Sequence, residues 1–209
     1  MILEGIVTTT NDDGSVHIAP MGPIVDEGIS RLRLRPYQTS TTLKNLVRSR
    51  QGVFHVTDDV ELLARAAVGR LETLPRLIPG SRRDIWVLAD ACRWFAFEVR
   101  EIDLSEPRAC LIAEVVERGV LRDFLGFNRA KHAVVEAAIL ATRVNFLPAE
   151  TITAEMRRLA VLVEKTAGPA EDRAFAFLED FLRHALDDQR ENAADPEFHP
   201  SRPGASSAP

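Results

Sequence analysis

Alternation of apolar and polar residues at every second position dominates the first 120 residues of the chain. Residues 1–9 are rich in β-forming types and lead into the turn-forming cluster 11–14, and alternation resumes over 15–19, so these segments predict a β-hairpin. In 29–35, Leu32 and Leu34 alternate with three arginines, which predicts a strand with one buried and one electropositive face. Further strands are predicted over 53–57, 85–88, 93–102 and 109–117.

Apolar residues spaced three and four apart mark the helices, which are short at first and longer towards the end. Segment 39–50 begins with hydroxyl residues and continues with a helical apolar spacing, and 60–68 follows a second capping sequence. Residues 72–84, rich in Pro, Gly and Arg, predict a loop. Beyond about residue 125, the apolar stripes predict three helices, over 128–144, 151–165 and 170–187.

The order of these elements predicts an α+β fold in three parts. Residues 1–125 form a β-rich domain with short embedded helices, and residues 126–187 form a small all-α extension. Residues 188–209 are polar and rich in Pro and Ser, which predicts a disordered tail.

Composition and charge exclude several classes of function. The chain of 209 residues is 45% hydrophobic and 27% charged, as globular domains are, and its net charge of −5 disfavours general nucleic-acid binding. Its apolar runs fall short of the roughly 18 residues that a membrane helix needs, and no secretory signal is evident. Cys92 and Cys110 lack metal or redox spacing and are expected to be reduced thiols. We therefore expect a soluble cytoplasmic protein that binds neither a membrane nor nucleic acid.

The most informative stretch runs from the arginine-bearing strand into the helix at 39–50. The N-terminus of a helix offers unpaired N–H groups and the positive end of its dipole, and hydroxyl and guanidinium donors there suit a phosphate monoester. Arg35 would supply the charge, and the polar contacts would come from Ser40, Thr41, Thr42 and Asn45. The alternative is that Thr39 or Ser40 is only the N-cap, and that the arginines form a solvated face.

Other chemistry has weaker support. The start of the helix at 128–144 carries Asn128, Arg129, Lys131 and His132, which indicates either a second anion site or a capped, solvated helix start. His55 lies in the middle of a strand and is expected in the core or at an interface. The histidines and cysteines show no metal-binding spacing, and no GxSxG or Walker motif is present, so no metal or nucleophile site is predicted.

Four segments, taken in order, resemble an uncharacterised prokaryotic family of FMN-binding split-barrel proteins that are relatives of flavin reductases and flavoredoxins. The segments are MILEGIVTTTNDDGSVHIAPMGP, LRPYQTSTTLKNL, VFHVTDD and GFNRAKHAVVEAAILATR. The resemblance covers about residues 1–145, and the helical extension of the family continues to about 185.

The resemblance implies a split β-barrel that binds FMN as a homodimer, with the flavin at or near the subunit interface. The hydroxyl-rich helix start would hold the phosphate, and the stretch from His17 to Gly22 would lie along the isoalloxazine, with Gly22 allowing a close approach. The start of the helix at 128–144 would complete the phosphate pocket, from the same or the other subunit. The residues expected at the cofactor are thus His17, Pro20, Met21, Gly22, Arg35, Tyr37, Thr39, Ser40, Thr41, Thr42, Asn45, Arg129 and Lys131.

Three functions are compatible with these features. The first is an FMN-dependent oxidoreductase acting on a small substrate, which predicts a cavity over the flavin. The second is an FMN-binding or electron-carrier module without its own substrate chemistry, which predicts an exposed flavin edge. The third is a barrel that binds another phosphorylated ligand. No catalytic residue is identified from the sequence, although His17 and Tyr37 are available as proton donors.

Overall fold

The computed structural model describes residues 1–81 and 85–194 and consists of a curled antiparallel sheet, a short hairpin and five helices. The strands are β1 Gly5–Thr10, β2 Val16–Met21, β3 Ile24–Val25, β4 Arg31–Leu34, β5 Gln51–Val56, β6 Leu77–Pro79, β7 Trp86–Leu88, β8 Arg93–Asp103 and β9 Cys110–Val120. The helices are α1 Thr41–Ser49, α2 Val60–Ala67, α3 Arg129–Thr142, α4 Ala149–Thr166 and α5 Pro169–Ala194.

The seven-stranded sheet curls into an open barrel, in which its two end strands come close together. Its order is β2-β1-β5-β8-β9-β4-β3, so the two end strands are neighbours in the chain, with only Gly22 and Pro23 between them. In a flat sheet these edges would lie about 29 Å apart, which so short a connection cannot span. A bridge between Ile2 and Ile24 adds a second link. The sheet therefore has to curl, and the predicted α+β barrel is confirmed.

Two cores lie on opposite sides of β1, because its successive side chains point to opposite faces. Val7 packs inside the barrel with Phe54 and with Leu46 of α1, whereas Ile6 packs on the outer side against the helical layer. Full burial of a side chain such as Leu46 stabilises the fold by about 1.5–3 kcal/mol. The barrel core thus fixes α1 in position.

Small residues put α3 at the centre of the helical layer. One face of α3 carries five buried alanines, which allow α2, α4 and α5 to pack closely on it. These alanines are Ala130, Ala133, Ala137, Ala138 and Ala141. The predicted helix over 128–144 is confirmed, with its helical residues running from Arg129 to Thr142.

Three segments differ from the sequence-based expectations. The first strand begins at Gly5, and residues 1–4 contribute only the bridge at Ile2. The predicted loop 72–84 contains β6, whose hydrogen bonds come from pairing with β7, and residues 82–84 lie outside the described residues. The last helix continues to Ala194, so the prediction of disorder from 188 was wrong for 188–194; the rest of the predicted tail, 195–209, also lies outside the described residues.

None of the described helices is long and apolar enough to cross a bilayer.

Candidate functional site

The predicted phosphate site lies where β4 leads into α1. Ser40 is the N-cap of α1: its hydroxyl oxygen accepts from the Leu43 N–H at 3.2 Å, and its O–H donates to the Tyr37 carbonyl at 2.7 Å. These contacts agree with the alternative interpretation, in which Ser40 is the N-cap of α1. The first N–H groups of the helix, at Thr41 and Thr42, have no intrahelical acceptor.

Several polar groups at this helix start are open. The side chains of Arg35, Thr39 and Thr41 are exposed, and none of them has a partner among the described residues. The first turn of α1 contains no acidic residue. A guanidinium, two free hydroxyls and unpaired N–H groups together form an arrangement that suits a phosphate dianion.

Thr42 connects this helix start to β2. Its side chain is buried, and its Oγ1 lies 3.2 Å from Nε2 of the half-buried His17. Burial lowers the pKa of His17 below its usual value, so the imidazole is neutral at neutral pH. The structure thus brings together His17 and Thr42, which the sequence analysis assigned to opposite ends of the cofactor.

Asn45 and Tyr37 are engaged within the chain. The Asn45 amide is buried and donates to Thr9 Oγ1 at 3.0 Å and to Asn11 Oδ1 at 2.8 Å, which anchors α1 to β1. The Tyr37 hydroxyl accepts from Arg108 at 2.7 Å, and the guanidinium lies 4.2 Å from the centre of its ring. The Asn45 donors are thus used within the chain and fix α1 on β1, whereas the bond from Arg108 positions Tyr37 without using the hydrogen of its hydroxyl.

Strand β2, which carries most of the predicted flavin-facing stretch, lies at an edge of the sheet. Within the described residues its only strand partner is β1, so the backbone groups on its outer side are available to a ligand. Pro20 lacks an N–H group, and Met21 packs against the barrel core. Unpaired backbone groups along such a strand are suited to hydrogen bonding with the polar atoms at the rim of a flat ring.

Gly22 packs closely against the N-terminal segment, because a Cβ atom at this position would lie 2.9 Å from the Glu4 carboxylate and from Ile2. Its predicted close approach to the flavin stays a prediction. Desolvation raises the pKa of Glu4, and the negative charge of Glu136 raises it further.

At the start of α3, the second predicted anion site, the N–H groups of Ala130 and Lys131 are bonded within the chain. Asn128 is the N-cap and accepts from the Lys131 N–H at 3.0 Å, and the Ala130 N–H donates to the Thr166 hydroxyl at 3.0 Å. The Asn128 amide in turn donates to the Thr166 carbonyl at 2.9 Å. These contacts agree with the alternative interpretation, in which this segment is a capped helix start.

The two basic residues of α3 differ in their environment. The Lys131 ammonium lies 2.8 Å from a Glu171 carboxylate oxygen and donates to the Asp58 carbonyl at 2.6 Å. Burial would raise the pKa of Glu171, but hydrogen bonds from Lys131 and the Gly168 N–H lower it. None of these contacts involves α1 or β2. The Arg129 guanidinium has no partner among the described residues, so its predicted role at the cofactor stays a prediction.

Asp58 is a residue whose importance the sequence did not reveal. Its carboxylate is buried and pairs with Arg122, and hydrogen bonding from Arg122 lowers the pKa of Asp58. The cap of α2 is the next residue, Asp59, which accepts from the Leu62 N–H at 2.9 Å. No local pattern could identify a partner 64 residues away.

His55 is a core residue, as expected. Its Nδ1 donates to the Ile6 carbonyl at 3.2 Å, and its Nε2 accepts from the Leu88 N–H at 3.0 Å. Burial lowers the pKa of His55 to about 4, against the opposing effect of the bond to Ile6. Among the described residues no group of three His, Cys, Asp or Glu side chains could hold a metal ion.

Two sequence profiles of one protein family match the chain. The profile described as "Protein of unknown function (DUF447) N-terminal domain" matches residues 3–122, and the profile described as "Protein of unknown function (DUF447)" matches residues 128–180. No curated protein sequence matches the chain.

Solved structures share the fold. An FMN-bound protein from Methanosarcina mazei, assigned to DUF447, is similar with a TM-score of 0.71 and 24% identity, over 88% of this chain and 95% of that chain. A flavoredoxin from Methanosarcina acetivorans is similar with a TM-score of 0.50 and 9% identity, over 57% of this chain and 70% of that one. At these identities the likeness establishes the split-barrel fold.

Proposed function

The chain belongs to the DUF447 family of proteins of unknown function, and on that premise we propose that it is an FMN-binding flavoprotein. The observation that carries this proposal is the open N-terminus of α1, with the free side chains of Arg35, Thr39 and Thr41 beside the edge strand β2. The FMN-bound family member from Methanosarcina mazei supports it.

The phosphate of FMN fits the donors at α1. Arg35 supplies the positive charge, the hydroxyls of Thr39 and Thr41 donate, and the N–H groups of the first turn complete the set. Ser40, Asn45 and Tyr37 act behind this first layer, because the donors of Ser40 and Asn45 are bonded within the chain and Arg108 holds the Tyr37 ring in place. Of the residues predicted at the cofactor, this division assigns phosphate binding to Arg35, Thr39 and Thr41 and positioning to Ser40, Asn45 and Tyr37.

We assign the isoalloxazine to the unpaired edge of β2, on the side away from β1. Bound FMN would supply hydride or single-electron transfer. The chain's own part is to hold the ring against backbone donors and to keep a neutral imidazole nearby. Thr42 orients His17, and the lowered pKa of His17 keeps its ring neutral at neutral pH, so the ring is able to accept a proton.

An oxidoreductase acting on a small substrate is the activity we propose, in a homodimer with FMN near the subunit interface. A cytoplasmic location goes with this proposal, because Cys92 and Cys110 are free thiols. A second subunit matters to the proposal, because β2 lies at an edge of the sheet, where a partner would cover its unpaired side.

A carrier of FMN or electrons is the second candidate, and one observation favours it. Among the described residues, a cavity of about 330 Å³ lies between α4 and α5, and residues such as Ile152, Met156 and Leu182 line it. No residue of α1 or β2 lines it, so it is not a substrate cavity over the proposed flavin position.

The visible absorption spectrum of the purified protein, before and after addition of FMN and removal of the excess, tests cofactor binding. We expect flavin bands that remain with the protein, and weaker retention of riboflavin, which lacks the phosphate. A colourless protein after FMN addition would contradict the proposal and favour another phosphorylated ligand. Reduction by a substrate panel then separates an enzyme from a carrier.

A further inference from the structure

The cavity between α4 and α5 has an apolar floor to which both helices contribute. Its volume is about 330 Å³, and the floor side chains belong to the core of the helical layer or pack against it: Ile152, Met156, Ala160, Leu182 and Leu186. Cavities of roughly 300–1,000 Å³ with a mostly apolar lining bind small molecules, and they occur between the helices of bundles. The volume and the floor therefore fit a small ligand with an apolar part.

The floor is elongated along the helices. Ile152 and Ala160 lie at its two ends on α4, about 12 Å apart along the helix axis. This length matches an extended alkyl chain of roughly ten carbons. Met156 lies midway between them, and its unbranched side chain adapts to the shape of a ligand. A single unbranched chain is thus the apolar group that fits this floor.

Charged side chains form the rim of the cavity, and guanidinium groups outnumber carboxylates there. The rim arginines are Arg157, Arg183 and Arg190, and the rim acids are Glu179 and Asp187. A guanidinium beside an apolar floor is matched by a ligand that joins an alkyl chain to an anionic group. A carboxylate is the simplest such group, because it accepts two parallel hydrogen bonds from one guanidinium.

The rim arginines have donors available for a ligand. Arg157 is exposed and has no partner among the described residues. Arg183 and Arg190 are each bonded to an aspartate one turn earlier on α5, Asp180 and Asp187 respectively. Exposed pairs of this kind are weak, and each guanidinium carries five N–H groups, so both arginines retain donors. Arg157 is the best placed of the three, because it has no competing carboxylate.

We propose that this cavity binds a single-chain carboxylate of about eight to ten carbons, with the chain on the apolar floor and the carboxylate on Arg157. A free medium-chain fatty acid has this chemistry. No residue of α1 or β2 lines the cavity, so the site is separate from the proposed FMN site. The inference goes beyond the proposed function and does not depend on it.

Isothermal titration calorimetry of the full chain with FMN present, below the micelle-forming concentration of each ligand, tests the ligand class. Each CH₂ group added from hexanoate to decanoate should tighten binding about two- to fourfold, because the floor buries it. Decanol and decylamine keep the chain but lack the carboxylate, so each should bind at least about tenfold more weakly than decanoate. Decanol binding as tightly as decanoate would overturn the assigned carboxylate, and decylamine binding more tightly would assign the rim to Glu179 instead.

A variant that fills the cavity tests its position. Thr153 is exposed and lines the cavity, so Thr153→Trp places a large ring there without changing a buried residue. Decanoate affinity should fall at least about tenfold, because several CH₂ groups lose their place on the floor. The matched control is Val161→Trp, since Val161 is 44% exposed on α4 and does not line the cavity. The control should bind decanoate within about twofold of wild type.

A second pair of variants tests the charge. Arg157→Gln should weaken decanoate binding at least about tenfold and leave decanol binding within about twofold of wild type, because only the carboxylate uses the guanidinium. Arg158→Gln is its control: Arg158 is the next residue, pairs with Glu155 and does not line the cavity. Circular dichroism of each variant checks that the fold is intact.

Wild-type protein that binds none of these alkyl ligands would overturn the inference, and so would a Thr153→Trp variant that binds decanoate like wild type. Equal losses of decanoate and decanol affinity in Arg157→Gln would overturn the assigned charge contact. The flavin spectrum of the same samples reports separately on the proposed function. A colourless protein that binds decanoate contradicts FMN binding and leaves this site standing.

Discussion

The two helix N-termini with nearby basic residues, at α1 and at α3, use the same local chemistry in opposite ways. At α1 the cap is Ser40, and Arg35, Thr39 and Thr41 around it remain free. At α3 the cap is Asn128, but α4 and α5 reach over it and satisfy its donors and its lysine. The difference teaches that a capped, basic helix start binds an anion only where no neighbouring element has already supplied the acceptors.

Neighbouring elements explain this contrast. Helix α1 packs its apolar face into the barrel, and its main neighbours are the strands β1 and β2. Helix α3 lies at the centre of the helical layer, and Thr166 at the end of α4 and Glu171 at the start of α5 meet its first turn. An open site therefore belongs to the helix with fewer neighbours.

The largest expected effect is on FMN affinity and comes from changes at the open start of α1. Arg35→Ala/Thr41→Ala removes two donors to the phosphate, each worth about 1.5 kcal/mol or more, so FMN affinity should fall about a hundredfold. Riboflavin affinity should fall by less than about threefold. Fluorescence titration with both ligands measures this, with Arg33→Ala, which changes an exposed arginine of β4, as the control. Equal losses for the two ligands would show that the phosphate binds elsewhere.

The second-largest effect is expected at the start of α3, where Lys131 is paired within the chain. Lys131→Ala leaves the Glu171 carboxylate, which is largely buried, without its cation, so the free energy of unfolding should fall by about 2 kcal/mol. FMN affinity should stay within about twofold. Urea unfolding and flavin titration of the same sample measure both quantities, and Lys131→Met/Glu171→Gln should recover part of the stability. A large loss of FMN affinity would show that the start of α3, like the start of α1, takes part in FMN binding.

The third effect is the response to acid. The pKa of Glu171 and the pKa of Asp58 are both lowered in the folded protein, so their contribution is present above the ordinary carboxyl pKa and is lost as the pH falls through the folded value. His55, with a pKa near 4 instead of 6.5, destabilises the fold over a higher window, from about pH 6.5 down to 4.

Unfolding free energies measured from pH 7 to pH 3 separate these windows. The variant Lys131→Met/Glu171→Gln should lose stability between pH 6.5 and 4 as wild type does, because His55 is unchanged. Below pH 4.5 its stability should fall less steeply than that of wild type. Identical curves below pH 4.5 would mean that the Glu171 ion pair does not stabilise the start of α3.

The smallest effect distinguishes the caps. Thr166→Val removes the hydroxyl that accepts from the Ala130 N–H, at a cost of about 1 kcal/mol in unfolding free energy. Ser40→Ala removes the N-cap of α1 at a similar cost. Only the Ser40 variant should also weaken FMN binding, by a few-fold, since it loosens the helix start that holds the phosphate. Parallel titrations compare the two.

Local patterns predicted the elements well, and the contacts of individual side chains less well. Ser40 was recognised as a possible cap, and the buried faces of β4 and α3 followed from their periodicity. Asn45 was expected to reach the ligand but bonds to Thr9 and Asn11, because strand packing brings β1 beside α1. Residue spacing contains no information about that neighbour.

Long-range partners account for the other differences. Tyr37 is held by Arg108 and Lys131 by Glu171, and the residues of each pair lie tens of positions apart in the chain. The short strand β6 forms only because β7 pairs with it, and its own composition is that of a loop. In each case the deciding interaction is tertiary.

What the amino-acid sequence determined by itself is the set of elements, the curled β-domain followed by helices, and the hydroxyl-rich, arginine-flanked start of α1. These follow from periodicity, capping and turn chemistry, which act over a few residues. What only the tertiary structure decided is which polar groups remain free. Arg35 and Lys131 are equally basic in the sequence, but packing of α5 against α3 places Glu171 on Lys131 and nothing among the described residues on Arg35.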